Sequence, residues 1–175
     1  MAIATADQLR LVENRAPSVG RLFFDRVAKS GPREAFRYPD EDERWHSMSW
    51  AETGDRVTKI AAGLIALGIE PEQRVAIASG TRIEWILSDL AINAAGAATT
   101  TVYPSTVADD VSYILSDSDS RIVFAEDDEQ IAKLRDKRSE LPSVSKVVTY
   151  EGTADGEWVI SLDDLVALGE QHLAA

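Results

Sequence analysis

The feature that most constrains the fold is a regular alternation of helix-capping motifs with short, apolar, β-rich segments. In a capping box, the first side chain accepts an amide of the first helical turn, and a side chain three positions on returns to the cap amide. Such pairs stand at Ser49/Glu52, Thr81/Glu84, Thr106/Asp109, Asp127/Gln130 and Ser161/Asp164. The segments RVAIAS, ATTTVY, RIVFAE and KVVTY lie between the predicted helices. Helices that alternate with strands predict a sheet whose neighbouring strands are parallel.

The N-terminal part adds a helix and a hairpin to this pattern. Apolar residues recur at helical spacing from Ser18 to Lys29, and Gly31 and Pro32 end that helix. The segments EAFRY and RWHSMSW alternate around the acidic turn PDEDE, which predicts an antiparallel hairpin. We therefore expect residues 1–175 to form a single doubly wound α/β subdomain. We expect a mostly parallel sheet that is flanked by helices, with a β-hairpin attached near its N-terminus. Residues 1–17 are expected to be irregular.

The charge of the chain excludes one class of partner. The formal net charge is -12, and eight carboxylates stand against the single base Arg121 between Asp109 and Glu129. Such a surface repels phosphate backbones, so nucleic-acid binding is excluded. No apolar run is long enough for a transmembrane segment, and there is no cysteine. These features predict a cytoplasmic protein, with peripheral association at a membrane surface left open.

The segment ASGTR, Ala78 to Arg82, follows a predicted strand and opens a helix, where free amides can hold an anion. It lacks the glycines and the lysine of a Walker loop, so a structural cap explains it better. Arg82 remains, at the strand end where open α/β sheets bind ligands. Neither His46 nor His172 has an acidic or histidine partner at ligand spacing, so we predict no metal site and no catalytic residue.

The segment GAATTTVYPST places three threonines where the pattern calls for a buried strand. β-Branched residues suit a strand, but a buried hydroxyl needs a hydrogen-bond partner. The strand is therefore predicted to lie near a sheet edge or to meet a further part of the protein. Tyr103 precedes Pro104, which ends the strand beside it.

Three runs carry a resemblance to a known family. They are SWAETGDRVTKIAAGLIALGIEPEQRVAI, TRIEWILSDLAINAAGAATTTVYPST and VSYILSDSDSRIVFAED. In combination they resemble the N-terminal part of AMP-forming acyl-CoA synthetases, in the adenylate-forming superfamily, and most of all its long-chain fatty-acid branch. The resemblance spans about Leu22 to Tyr150.

The resemblance implies a two-step ligase reaction for a longer parent enzyme. In the family, a fatty carboxylate attacks the α-phosphate of ATP in the presence of Mg²⁺, and the thiol of coenzyme A then displaces AMP. The family's Gly/Ser/Thr-rich loop with a lysine, its Tyr-x-Thr-Gly-Asp motif and its C-terminal lysine have no match here. We therefore expect an N-terminal fragment that is inactive alone and binds no cofactor. ATP, Mg²⁺, coenzyme A and the fatty acid would serve the parent, and the remainder of that chain would be the partner.

The resemblance also implies where substrate lies. In the family, the threonine strand and the Tyr-Pro after it lie close to a seam with a second subdomain. Arg82, Trp85, Tyr103 and Pro104 are accordingly expected near the acyl or coenzyme A channel. An exposed docking face would also allow a dimer of the isolated chain. The alternative is a stand-alone α/β module, a monomer with a polar surface, that binds an acyl ligand or a protein partner without catalysis.

Overall fold

The computed structural model describes residues 5, 10, 12–40 and 42–175, and its centre is a five-stranded parallel sheet. The helices are α1 Val19–Ser30, α2 Trp50–Ala66, α3 Ile83–Ala94, α4 Ala108–Asp117, α5 Asp128–Asp136 and α6 Leu162–Ala174, with a 3₁₀ turn at Arg138–Glu140. The strands are β1 Glu34–Pro39, β2 Trp45–Ser49, β3 Arg74–Ala78, β4 Ala98–Val102, β5 Ser120–Ala125, β6 Lys146–Thr149 and β7 Val159–Ser161. The sheet order is β4-β3-β5-β6-β7, and all four pairings are parallel.

Helices cover both faces of this sheet because successive side chains of a strand point to opposite sides. Val75 and Phe124 belong to a core shared with α1, α2, α3 and α6. Ala76 and Val123 belong to a second core shared with α4 and α5. The predicted doubly wound α/β fold is therefore confirmed, and β4, the threonine strand, lies at an edge of the sheet as predicted.

The predicted N-terminal hairpin is also confirmed. Strands β1 and β2 pair antiparallel as a separate two-stranded sheet. The ring of Phe36 lies 6.1 Å from that of Trp50, which joins the hairpin to the start of α2. Of the predicted irregular start, residues 1–17, the structure describes residues 5, 10 and 12–17; Arg10, Val12 and Glu13 are helical, and residues 14–17 are irregular as predicted.

Three of the five predicted caps are present. Ser49 with Glu52 and Ser161 with Asp164 form complete capping boxes. The carboxylate of Asp127 accepts the amide of Gln130 at 3.0 Å, although the Gln130 side chain does not return to the cap. These caps fix the first turns of α2, α5 and α6.

The caps predicted at Thr81/Glu84 and Thr106/Asp109 are wrong. Helices α3 and α4 begin one residue later than those motifs imply, with Arg82 and Val107 as N-caps and no side-chain cap bond. The Glu84 carboxylate accepts from Arg82 Nε instead of returning to the cap amide. The amide of Thr106 donates to the Tyr103 carbonyl in a turn. Both pairs have the spacing of a capping box. The Glu84 side chain bonds to Arg82 instead, and the Thr106 amide bonds to Tyr103.

The loop of residues 150–158 joins β6 to its parallel neighbour β7, a strand that the sequence did not predict. Parallel neighbours usually need a crossover of a dozen or more residues. Asp155 holds this shorter crossover together: its carboxylate accepts the amides of Val159 and Glu157 and a bond from Arg135 Nη2. These donors, the Val159 amide first, lower the pKa of Asp155 to about 2.

Candidate functional site

The candidate site lies at the carboxyl ends of β3, β5 and β6. From β3 the chain passes to β4 on one side, and from β4 it returns to β5 on the other side of β3. The direction of winding therefore reverses between β3 and β5. Open α/β sheets bind ligands in the crevice at such a switch point. The segments that follow these strands, residues 79–82, 126–127 and 150–151, therefore define the place where chemistry is expected.

Arg82 is at the centre of this crevice, surrounded by carboxylates. Its Nε lies 2.6 Å from Glu84, its Nη1 lies 3.7 Å from Glu126, and its Nη2 donates to Glu151. The guanidinium carbon also lies 5.8 Å from the ring centre of Tyr150. The hydrogen bond to Glu151 raises the pKa of Arg82, and the same bond lowers the pKa of Glu151. One guanidinium faces three carboxylates, so the cluster carries a net negative charge.

In the loop before α3, a backbone amide that could bind an anion is already bonded to a glutamate side chain. The Gly80 amide donates to Glu126 Oε2 at 2.8 Å. A phosphate bound at this crevice would need that amide. Because the Gly80 amide already donates to Glu126, the segment ASGTR has a structural role. The bond responsible is this contact with Glu126 and not the Thr81 cap that the sequence suggested.

A groove runs between the hairpin and these strand ends. It consists of two adjoining cavities of about 380 and 530 Å³. Both are lined by Tyr38, Ile83, Glu84 and Tyr150. The Tyr150 hydroxyl bonds to Ser88 at 2.9 Å, and burial of this side chain raises its pKa. Apolar side chains such as Ile83 and acidic side chains such as Glu84 both line the groove.

Of the four predicted substrate-binding residues, Arg82 alone lines the groove. Arg82 lines the larger cavity, and Trp85, one helical turn along α3, is partly buried against the core. Tyr103 and Pro104 follow the edge strand β4, and neither of them lines the groove. Tyr103 is 78% exposed. Tyr103 thus leaves the sheet beside the end of β3, since Val102 pairs with Ala78, but its side chain does not line the groove that Arg82 lines.

Lys133 and Gln130, which the sequence did not mark, fix the segment after β4. The Lys133 ammonium donates to the Pro104 carbonyl at 2.6 Å, and Gln130 Nε2 donates to the same oxygen at 3.4 Å. Helix α5 thus holds Pro104 in place while the neighbouring Tyr103 side chain extends into solvent. The Asp127 cap, which starts α5 and was predicted, is the only local signal for this arrangement.

Two general features of the described residues bear on function. They contain no group of three or more His, Cys, Asp or Glu side chains placed to hold a metal ion. Within the same part of the chain, no helix combines the length and apolar character that a membrane crossing requires.

Comparison with known proteins gives concordant matches. The family model for AMP-binding enzymes matches residues 23–169. The long-chain-fatty-acid–CoA ligase FadD15 of Mycobacterium bovis is 33% identical over 128 residues, which are 73% of this chain and 21% of that protein. The 3-[(3aS,4S,7aS)-7a-methyl-1,5-dioxo-octahydro-1H-inden-4-yl]propanoyl:CoA ligase of Mycobacterium tuberculosis is 36% identical over 140 residues, 77% of this chain and 26% of that protein. The chain thus spans about a fifth to a quarter of the length of these relatives.

A solved structure supports the fold. Acetoacetyl-CoA synthetase from Streptomyces lividans superposes with a TM-score of 0.76 at 22% sequence identity, over 86% of this chain and 25% of that one. At this level of identity, the likeness establishes a shared architecture.

Proposed function

We propose that this chain, which belongs to the AMP-binding enzyme family, works as the N-terminal subdomain of a long-chain fatty acid–CoA ligase. The observation that carries the proposal is the family match over residues 23–169, together with a fatty-acid ligase relative at 33% identity. The parent would join a fatty carboxylate to AMP at the expense of ATP, with pyrophosphate released. It would then transfer the acyl group to the thiol of coenzyme A.

The residues at the strand ends do not fit ATP and its Mg²⁺. A triphosphate needs free amides and unpaired cations. Here Arg82 is held by Glu84, Glu126 and Glu151, and the Gly80 amide is held by Glu126. We therefore assign no step of adenylate formation to these residues, and we propose that the chain alone is inactive and that the nucleotide chemistry lies elsewhere in the parent.

Within this proposal, the segment after β4 is the better candidate for substrate contact. Coenzyme A carries phosphates, and the net negative cluster around Arg82 repels them. Tyr103 and Pro104 lie outside that groove, and Lys133 holds the Pro104 carbonyl in position. Arg82 and Trp85 would then form a supporting wall, whereas Tyr103 and Pro104 would face the acyl or coenzyme A channel.

The partners follow from the same proposal. The remainder of the parent chain would cover the exposed side chains Tyr103 and Val107, and in the isolated chain these would allow a dimer. A cytoplasmic setting, where ATP and coenzyme A are available, is part of the proposal.

The test uses the complete reading frame that contains this chain, expressed as one protein. With palmitate, ATP, Mg²⁺ and coenzyme A, we expect palmitoyl-CoA and AMP in equal amounts. Tyr103→Ala should raise the KM for coenzyme A or palmitate about tenfold, the loss of about 1.4 kcal/mol of binding. The matched control is Tyr113→Ala, since Tyr113 is similarly exposed but lies on α4. The fatty-acid assignment would be contradicted by a protein that does not activate palmitate but does activate the methyl-dioxo-octahydro-indenyl propanoate named for the Mycobacterium tuberculosis relative.

A further inference from the structure

The loop between β4 and α4, residues 103–107, is tied to a neighbouring helix near both of its ends. At its start, the Lys133 ammonium donates to the Pro104 carbonyl at 2.6 Å. Just past its end, the Lys137 ammonium forms an ion pair with Asp109 in the first turn of α4. Lys133 and Lys137 are four residues apart, and side chains at this spacing lie on one face of a helix. Helix α5 and its C-cap thus hold the loop from one side.

Three acceptors surround the Lys133 ammonium, which has three N–H donors. Besides the Pro104 carbonyl, they are Gln130 Oε1 at 3.2 Å and Glu129 Oε1 at 3.1 Å. The Lys133 side chain is only 17% exposed. If the bond to Pro104 broke, a largely shielded charge would lose an acceptor, which is costly. We therefore expect the Pro104 carbonyl to keep one position relative to α5.

The bond from Lys133 acts on the middle of a tight turn. The Thr106 amide donates to the Tyr103 carbonyl at 3.0 Å, so residues 103–106 form a β-turn with Pro104 at its second position. The Pro104 carbonyl belongs to the central peptide of this turn, and the orientation of that peptide distinguishes one turn type from another. By fixing it, Lys133 fixes the turn from which the exposed Tyr103 side chain extends.

We propose that Lys133 is a positioning residue for substrate binding in the parent enzyme, acting through the Pro104 carbonyl on the side chain of Tyr103. This inference rests on the proposed function, in which Tyr103 and Pro104 face the acyl or coenzyme A channel. Lys133 itself does not touch substrate, because acceptors of this chain already surround its ammonium. Lys137 supports the same loop from the side of α4.

A double-mutant cycle in the complete reading frame tests the proposal. Lys133→Met should raise about fivefold the KM that Tyr103→Ala raises, with kcat unchanged, because a misplaced Tyr103 loses binding that ground state and transition state share. In the Tyr103→Ala background, Lys133→Met should change this KM less than about twofold, since the side chain that it positions is gone. Lys133→Arg keeps a cationic donor and should restore most of the loss.

Lys146→Met is the matched control. Lys146 also donates to a main-chain carbonyl, that of Glu157, but it lies at the start of β6, at the opposite end of the sheet from the loop. Both KM values and kcat should remain as in the wild type. If Lys133→Met folds poorly, as judged by its urea midpoint, Lys133→Gln repeats the cycle with a shorter side chain that stays polar.

Hydrogen exchange of the loop separates the positioning role from the reaction. It is measured in the complete protein without substrate, by mass spectrometry of peptides that cover residues 103–107. Exchange there, which includes the Thr106 amide, should be about fivefold faster in Lys133→Met than in the wild type. Lys146→Met should leave it unchanged.

The two possible failures give different results. A wild-type protein that forms no acyl-CoA contradicts the proposed function and, with it, the substrate role given to Lys133. An active wild type with unchanged loop exchange in Lys133→Met overturns the positioning role alone. The positioning role is also overturned if Lys133→Met raises the KM equally with and without the Tyr103 side chain, because additive effects mean that Lys133 does not act through Tyr103.

Discussion

Replacing Gly169 by alanine is expected to destabilise the chain by roughly 3 kcal/mol, at the upper end of overpacking costs. A Cβ at this position of α6 would lie 1.9 Å from the Lys59 carbonyl oxygen and 2.8 Å from the Gly63 amide nitrogen of α2. Both neighbours are backbone atoms, which cannot rotate out of the way. A Cβ at Gly63 would in turn lie 2.3 Å from the Leu165 carbonyl oxygen. Helices α2 and α6 therefore touch backbone to backbone, and only glycine permits this.

Urea unfolding at neutral pH measures this effect as a lower midpoint at constant slope. Gln171→Ala, at an exposed position of the same helix, serves as the control and should change stability little. Alanine is intrinsically favoured over glycine in a helix by about 1 kcal/mol, so a relaxed site would stabilise the variant. Stability equal to or above that of the wild type would show that α2 and α6 are not in this close contact.

Arg82→Met is the second large effect, and we expect a loss of about 2 kcal/mol at neutral pH. Removing one partner of a buried ion pair costs about 3–5 kcal/mol. The Arg82 side chain is 25% exposed, so solvent screens part of that cost. The variant leaves Glu84, Glu126 and Glu151 close together without their shared cation. Arg82→Lys is the matched control, because it keeps the charge but loses the planar donors, and its loss should be smaller.

The pH dependence of this loss has a definite sign. Arg82 lowers the pKa of Glu151 in the folded state. A carboxyl with a lowered pKa contributes stability above its unfolded pKa of about 4.3, and that contribution is lost as pH falls through the folded value. The difference between wild type and Arg82→Met should therefore be full at pH 7 and shrink below about pH 4. A difference that stays constant with pH would mean that packing of the methylene chain, and not charge, explains the loss.

The sequence predicts most of the fold because its signals are local. The hairpin residues, the caps at Ser49, Asp127 and Ser161, and the alternation of helix with strand depend on neighbours a few positions apart. β7 has only three residues and lies directly before a cap, so no periodicity marks it. The caps at Thr81 and Thr106 fail because Arg82 and the turn at Tyr103 compete for the same groups.

The site is less predictable, because its contacts join distant parts of the chain. The position of Arg82 follows from a strand that ends before a helix, and the structure confirms that position. Its partner Glu151 is 69 residues away, and Lys133 lies 29 residues from the Pro104 carbonyl that it holds. No short pattern encodes those distances. For this reason the sequence predicted Arg82 at the strand end, near the acyl or coenzyme A channel, but gave no sign of the three carboxylates that engage it.

The central claim is that these residues form a scaffold whose strand ends are occupied by internal ion pairs, so that the chain does not process ATP by itself. Pyrophosphate release from Mg-ATP and palmitate by the purified chain is the most direct measurement of it. We predict release no faster than in buffer, with and without coenzyme A. Release above buffer that depends on palmitate and increases with protein concentration would contradict the claim.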